Sequence, residues 1–279
     1  MTAPHRLGSF ERAGCTLSYE VHGGGARTVV YLHGLLLDAA VNRRLARDLA
    51  AEGNRVVLLD LPGHGASDKP RQAAAHRMDA YARLVVDLLD HLDVARAVVG
   101  GMSLGADVSL LVAANAPERV AGMVLEMPVL EQATPYAAML FTPLLAATHY
   151  AAPALRLVSN LARRLPRSRL GLVDQVFGAV TLDPDDVVAV LHGILVGPVA
   201  PTIEERARIH VPALVIGHRA DWLHPFGDAG RLARQLPSAQ LVEAHSILEL
   251  RVRPARLTAE IAAFLDRVWA GEARARRAV

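Results

Sequence analysis

The sequence predicts an α/β fold in which a mainly parallel sheet is covered by helices on both faces. Short runs of aliphatic and β-branched residues alternate along the chain with longer runs of helical periodicity. The 279 residues, of which 52% are hydrophobic, are enough to bury a large core and argue against extensive disorder. A Gly-x-Ser-x-Gly sequence, Gly101 to Gly105, separates a predicted strand from a predicted helix.

Eight strands and four long helices account for most of the chain outside its middle third. The strands are predicted at Leu7–Phe10, Leu17–Val21, Thr28–Leu32, Arg55–Leu59, Ala97–Gly100, Val120–Leu125, Ala213–Ile216 and Gln240–Glu243. Helices are predicted at Val41–Glu52, Met78–Leu92 and Pro254–Ala270, and a further helix starts at the Gly101–Gly105 turn and continues to about Asn115.

The middle of the chain, 129–209, has helical patterns without a strong strand pattern, which predicts a helical cap inserted into the sheet domain. The core domain then comprises 1–128 and 210–270, and 271–279 is predicted to be a flexible tail. The stretch from Ala137 to Leu155 has no charged residue and approaches the length of a membrane span. Pro143 and Pro153 would interrupt such a helix, so two short apolar helices are the favoured interpretation.

Composition excludes several classes of function. The net charge is only +2, and no stripe of arginines interleaved with aromatic residues indicates nucleic-acid binding. Cys15 is the sole cysteine, so neither a disulfide nor a Cys/His zinc motif is expected. The first ten residues contain no apolar signal core, and a cytoplasmic protein without a stable membrane span is therefore expected. The oligomeric state is left open.

Ser103 is the candidate nucleophile. A tight turn from strand to helix forces an unusual backbone at the serine, requires small neighbours and exposes the hydroxyl at a helix N-terminus. The predicted strand before Gly101 and the predicted helix after it supply the context that this motif needs.

A catalytic serine needs a base and an acid that orients the base. Asp221 follows the strand Ala213–Ile216, at the strand end where open α/β sheets build their sites. His245 follows the strand Gln240–Glu243, and the chain order serine, acid, histidine favours it as the base. His224 is the alternative base, although it would have to share one short loop with Asp221.

Two backbone N–H groups are expected to bind the oxyanion. One belongs to Leu104, directly after the nucleophile, and the other to Leu35, in the loop that follows the strand Thr28–Leu32. Gly34 would let this backbone approach the substrate, while His33 is interpreted as a structural hydrogen-bonding residue.

Four motifs together resemble the α/β-hydrolase superfamily, over nearly the whole chain. They are Leu32-His33-Gly34, the loop from Asp60 to Asp68, the Gly101–Gly105 turn and Gly217 to Asp221. The Asp60–Asp68 loop is similar to one in the esterase, epoxide hydrolase and haloperoxidase-like branch, where its histidine, here His64, is usually structural. Relatives usually carry Gly-His after the last strand, whereas Ala244 precedes His245 here. Some branches place the acid after the strand before the cap, which makes Glu126 a rival to Asp221.

The expected reaction is acyl transfer from a small to medium, mostly apolar ester-like substrate to water, with no metal or organic cofactor. The resemblance also implies that dehalogenases and epoxide hydrolases of this fold use an aspartate as the nucleophile, so a serine argues against both activities. Carboxylester, lactone, thioester and carbon–carbon cleavage substrates remain open. The alternatives are an inactive small-molecule binding module on the same fold and a lyase or perhydrolase variant.

Overall fold

A computed structural model of the protein describes residues 5–162, 164, 178 and 181–277. Its centre is a single eight-stranded sheet, ordered β1-β2-β4-β3-β5-β6-β7-β8. The strands are β1 His5–Arg12, β2 Cys15–Gly23, β3 Thr28–Leu32, β4 Arg55–Leu59, β5 Ala97–Met102, β6 Val120–Glu126, β7 Ala213–His218 and β8 Ala239–Ala244.

The direction of the strands divides the sheet into two parts. β1 and β2 form an antiparallel hairpin, and β2 pairs antiparallel with β4. From β4 to β8 all neighbours are parallel. The predicted mostly parallel α/β sheet is confirmed, and the carboxyl ends of β3, β5, β6 and β7 meet at one edge, where a site is expected.

Helices connect the strands. They are α1 Arg43–Ala51, α2 Met78–His91, α3 Leu104–Asn115, α4 Ala133–Tyr150, α5 Ala152–Ala162, α6 Pro184–Leu195, α7 Ile203–Arg206, α8 Phe226–Gln235, α9 Glu249–Val252 and α10 Ala255–Arg277.

Alternating side chains of the central strands feed two separate apolar cores. In β3, Val30 and Leu32 pack into the core shared with α2, α3 and α8. Val29 and Tyr31 point to the other face and pack into the core shared with α1 and α10. Because successive side chains of a strand point to opposite faces, a strand covered on both sides is apolar at nearly every position.

The described residues between β6 and β7 form helices and connecting turns. The cap at 129–209 stays a prediction, and part of it lies outside the described residues. Pro143 lies inside α4 and does not end it. The break comes instead at Ala151, where α4 and α5 meet at a bend of 98°. Within the described part of the chain, no single helix is long and apolar enough to cross a membrane, and only this bent pair together meets that criterion.

The C-terminal helix is longer than predicted. The sequence predicts its end at Ala270 and a flexible tail from Gly271, but α10 continues to Arg277. An ion pair explains the extension, because Glu272 Oε1 lies 2.6 Å from Arg96 Nη1 and ties the added turns to the loop before β5. The expected tail is thus helical up to Arg277, and positions 278 and 279 lie outside the described residues.

Candidate active site

Ser103 stands alone between β5 and α3 in a strained conformation. Its φ of 52° and ψ of −116° lie in a region that residues with a side chain rarely adopt. Two glycines make this turn possible. A Cβ at Gly101 or at Gly105 would lie 2.7 Å from the carbonyl oxygen of Leu32, far inside van der Waals contact. The strand, turn and helix expected around the serine are therefore all present, and the spacing of the glycines follows from their close approach to β3.

The hydroxyl of Ser103 is hydrogen bonded to a histidine, and that histidine to an aspartate. Ser103 Oγ lies 2.9 Å from His224 Nε2, and His224 Nδ1 lies 2.8 Å from Asp221 Oδ2. Both the acid and the imidazole come from the loop between β7 and α8. This is the order of contacts, nucleophile to imidazole to carboxylate, that characterises a catalytic triad.

The local turn explains how two residues of one short loop can meet. Asp221 Oδ1 accepts hydrogen bonds from the backbone N–H groups of Leu223 and His224, at 2.9 and 3.0 Å. Aspartate commonly closes a turn in this way. The turn brings the His224 ring beside the second carboxylate oxygen, so the short separation along the chain favours the contact.

The prediction that His245 meets Ser103 is not supported by the geometry. His245 does follow β8, but its side chain is 76% exposed and its Nδ1 lies 3.7 Å from Glu249 Oε2. Its backbone N–H also donates to Glu249, which fixes the start of α9. The loop after β8 therefore leads away from Ser103, and His224 takes the position beside the nucleophile.

Glu126, the rival acid, belongs to a buried ion pair below the turn. Its carboxylate lies 2.9 Å from Arg251 Nη2 and accepts a hydrogen bond of 3.2 Å from the Tyr31 hydroxyl. Arg251 Nη2 also contacts the sulfur of Met102, next to the nucleophile. Glu126 thus supports the turn from beneath, and its backbone oxygen accepts from the Ser103 N–H at 2.8 Å. Asp221 is the carboxylate that contacts His224.

The electrostatics of the loop favour an ionised Asp221. Burial alone would raise the pKa of its carboxyl group, but the hydrogen bonds and charge of His224 outweigh burial and hold the pKa below its ordinary value. An ionised carboxylate accepts a hydrogen bond from the Nδ1–H of His224, which leaves Nε2 as the acceptor for the hydroxyl of Ser103.

Leu35 and Leu104, predicted to supply the oxyanion donors, both line the cavity in front of Ser103. Among the described residues, neither backbone N–H donates to a protein acceptor. Leu104 is the first residue of α3, where N–H groups have no partner within the helix. Both groups are therefore available to a substrate.

His33 fixes the loop that carries Leu35. Its Nε2 accepts from the Leu61 N–H at 3.1 Å, so its proton must be on Nδ1, which donates to the oxygen of Gly34 at 2.8 Å. Burial lowers the pKa of the imidazole and keeps it neutral in this role. The contacts agree with the structural interpretation of this histidine.

The cavity in front of Ser103 is almost entirely apolar. It encloses about 700 Å³ of empty space, part of which is open to solvent. Its polar side chains among the described residues are Ser103, Thr134 and His224, and no described lining residue is an acid, a lysine or an arginine. The remaining lining residues are Leu35, Met78, Leu104, Val129, Ala137, Ala138, Phe141, Ile194, Leu195, Val199 and Leu223.

Two buried aspartates hold the segment that leads from the sheet into α4. The carboxylate of Asp228 accepts from the N–H groups of Leu130, Gln132 and Ala133, at 2.8 to 3.2 Å. Asp107 accepts from the Val129 N–H at 3.0 Å. Acidic side chains suit a helix N-terminus, and these contacts fix the wall of the cavity to the core.

Comparison with known proteins gives the family. Residues 27–246 match the family model described as the alpha/beta hydrolase fold. One curated relative is the dihydrolipoyllysine-residue acetyltransferase component of an acetoin cleaving system from Pseudomonas putida, 45% identical over 107 residues, which are 38% of this chain and 28% of the relative. Another is the 2-hydroxy-6-oxononadienedioate/2-hydroxy-6-oxononatrienedioate hydrolase of Escherichia coli O139:H28, 38% identical over 128 residues, 44% of either chain. The chain thus spans less than half the length of these relatives.

Solved structures resemble the chain over most of its length. The enol-lactonase from Burkholderia xenovorans LB400 has a TM-score of 0.75 and 23% identity, and the match covers 93% of this chain and all of the other. A bromoperoxidase from Bacillus anthracis has a TM-score of 0.74 and 16% identity, covering 94% and 100%. At these identities the likeness shows the fold alone. The family model matches most residues of the chain, and the eight-stranded sheet has the architecture of that fold. The chain therefore belongs to the α/β hydrolase fold family.

Proposed function

We propose that the chain is a serine hydrolase that cleaves small to medium, mostly apolar ester-like substrates through an acyl-enzyme intermediate. The observation that carries the proposal is the hydrogen-bond chain from Ser103 through His224 to Asp221, which faces an apolar cavity. The strained backbone of Ser103 adds support. So do the N–H groups of Leu35 and Leu104, which donate to no acceptor among the described residues.

In the first half of the reaction, Ser103 Oγ attacks the carbonyl carbon while His224 Nε2 takes its proton. Asp221 keeps the imidazole in the required tautomer and stabilises the imidazolium. The N–H groups of Leu35 and Leu104 bind the negative oxygen of the tetrahedral intermediate. When this intermediate collapses, His224 gives the proton to the leaving alcohol, and the acyl group stays on Ser103.

In the second half, water replaces the alcohol. His224 takes a proton from the water as it attacks the acyl carbon, and the same N–H groups bind the second oxyanion. The bond to Ser103 Oγ then breaks, the proton returns to the serine, and the carboxylic acid leaves. Each step uses groups that this chain supplies.

The lining of the cavity favours an uncharged acyl group. The name of the Escherichia coli relative describes a dicarboxylate substrate. Burying a carboxylate without a cationic partner is strongly unfavourable, and the described lining of this cavity contains neither lysine nor arginine. We therefore expect aliphatic esters to be hydrolysed in preference to esters of dicarboxylic acids.

The test combines turnover with labelling of the nucleophile. The parent protein should hydrolyse p-nitrophenyl butyrate and react with a fluorophosphonate probe at Ser103. Ser103→Ala should lose both, with kcat reduced at least about 10³-fold. Ser246→Ala, which changes an exposed serine outside the cavity, is the matched control and should retain both. A folded parent protein that neither reacts with the probe nor hydrolyses any ester would contradict the proposal and favour an inactive binding module.

A further inference from the structure

Three potential metal ligands converge at the antiparallel end of the sheet. His5 of β1 lies directly opposite His22 of β2 in the strand register. Glu20 is two residues before His22, and residues two apart on a strand share one face. Directly opposite residues also share a face, so the pairing of the strands brings all three side chains together.

The distances between these side chains suit a small metal ion. Glu20 Oε2 lies 3.3 Å from His5 Nε2 and 3.1 Å from His22 Nε2. The ligand atoms of the three residues all lie within 4.8 Å of one another. In a tetrahedral zinc site with bonds of about 2.1 Å, neighbouring ligand atoms are about 3.4 Å apart. The carboxylate oxygen is already at that spacing from both imidazoles.

The surroundings hold the ligands in place and leave one side open. Glu20 and His22 are buried, whereas the side chain of His5 is 45% exposed and provides a path for an ion and a water ligand. Arg43 pairs with both oxygens of Glu20: Nη2 lies 2.6 Å from Oε1, and Nε lies 3.0 Å from Oε2, the oxygen that faces the imidazoles. Hydrogen bonds of this kind commonly orient a ligating carboxylate. The charge of Arg43 opposes a divalent cation at this carboxylate and weakens its binding.

We propose that His5, Glu20 and His22 bind one Zn²⁺ ion, with water as the fourth ligand. Two imidazoles and a carboxylate are ligands that zinc accepts in proteins. The site is independent of the proposed hydrolysis, because β2 and β5 are three strand spacings apart in the sheet, about 14 Å. The ion would join the edge strand β1 to β2 and so stabilise the hairpin.

Zinc binding to the full, metal-stripped chain tests the proposal by competition with a chromophoric chelator. The parent protein should bind one Zn²⁺ and unfold at a higher temperature with zinc than without it. His5→Ala removes an exposed ligand with little effect on the core, and it should weaken binding at least tenfold and abolish the thermal shift. His245→Ala is the matched control, since His245 is also an exposed histidine beside a glutamate but has no described second imidazole near it.

Three results would overturn the zinc site. If His5→Ala binds zinc as tightly as the parent protein, or if the parent binds none, the three side chains form only a hydrogen-bonded cluster. If His224→Ala rather than His5→Ala abolishes binding, the zinc occupies the Ser103 site. Ester hydrolysis by the His5→Ala variant should equal that of the parent, so failure of the zinc proposal leaves the proposed hydrolase function untouched.

Discussion

Asp221 and His224 hydrogen bond to each other through Oδ2 and Nδ1, although they are only three residues apart in the chain. One loop therefore holds two of the three members of the candidate triad. The end of β8, where the sequence suggested a base, carries no group in contact with Ser103 among the described residues.

The first prediction separates the two histidines. His224→Ala should lower kcat for p-nitrophenyl butyrate at least about 10³-fold, because Ser103 loses the acceptor for its proton. His245→Ala should change kcat less than about twofold, since its side chain is exposed and contacts Glu249. Steady-state kinetics on both variants decide the matter, and the reverse pattern would restore His245 as the base.

Much of the fold was predictable because the central strands are buried on both faces. Thr28–Leu32 and Arg55–Leu59 were predicted with the bounds that the structure has, since continuous aliphatic runs mark such strands. The end of α10 was predicted too early. Glycine is a weak helix former, but the ion pair of Glu272 with Arg96 is a tertiary contact that a local pattern does not reveal.

The site was predictable where the backbone defines it. Ser103 is predictable as the nucleophile because it lies between Gly101 and Gly105. Both positions must be glycine because the turn passes close to the backbone of β3. Chain order favours His245 over His224, whereas the turn made by Asp221 decides which imidazole is near the acid. The spacing Asp-x-x-His, directly before the proline that precedes α8, was the available signal. The buried pair of Glu126 and Arg251 joins residues that are 125 positions apart, so sequence alone could not reveal it.

The second prediction distinguishes the two carboxylates. Asp221→Asn should lower kcat about 10⁴-fold, because an amide does not hold the imidazole in the reactive tautomer. Glu126→Gln should instead destabilise the fold by about 3 kcal/mol, since it leaves the buried Arg251 without a countercharge. Kinetics and urea unfolding of both variants test this, and a selective loss of kcat with unchanged stability in Glu126→Gln would make Glu126 the acid.

The third prediction concerns the turn at the nucleophile. In Gly105→Ala, the added methyl group would lie 2.7 Å from the Leu32 oxygen, so α3 has to move away from β3. We expect a loss of stability of at least about 2 kcal/mol, as for other overpacked cores, together with a loss of ester hydrolysis. Gly271→Ala is the control, because an added Cβ there meets no atom within 4 Å. Thermal unfolding of Gly105→Ala at the parent temperature would refute the packing argument.

The fourth prediction tests the cavity as the acyl-binding site. Ala138→Trp should fill part of the cavity and lower kcat/KM for p-nitrophenyl octanoate at least about tenfold, while the acetate ester is affected much less. Met139→Trp is the control, since Met139 is next in sequence but 74% exposed and outside the lining. Kinetics across a series of acyl lengths supply the measurement, and equal losses for both esters would place the acyl chain elsewhere.

The fifth prediction is a pH dependence of stability at Asp107. Burial raises the pKa of this carboxyl well above its ordinary value, and its Oδ2 has no hydrogen-bond partner. A carboxyl whose pKa is raised by folding stabilises the fold at low pH, and this contribution is lost as the pH rises above the pKa of the unfolded chain, about 3.9. Asp107→Asn removes the ionisation, so the stability of the variant relative to the parent should increase as the pH rises from 4 to 8. Each unit by which folding raises the pKa corresponds to about 1.4 kcal/mol. Calorimetric unfolding at several pH values measures the difference, and a difference that does not change with pH would show that Asp107 ionises as readily in the folded protein as in the unfolded chain.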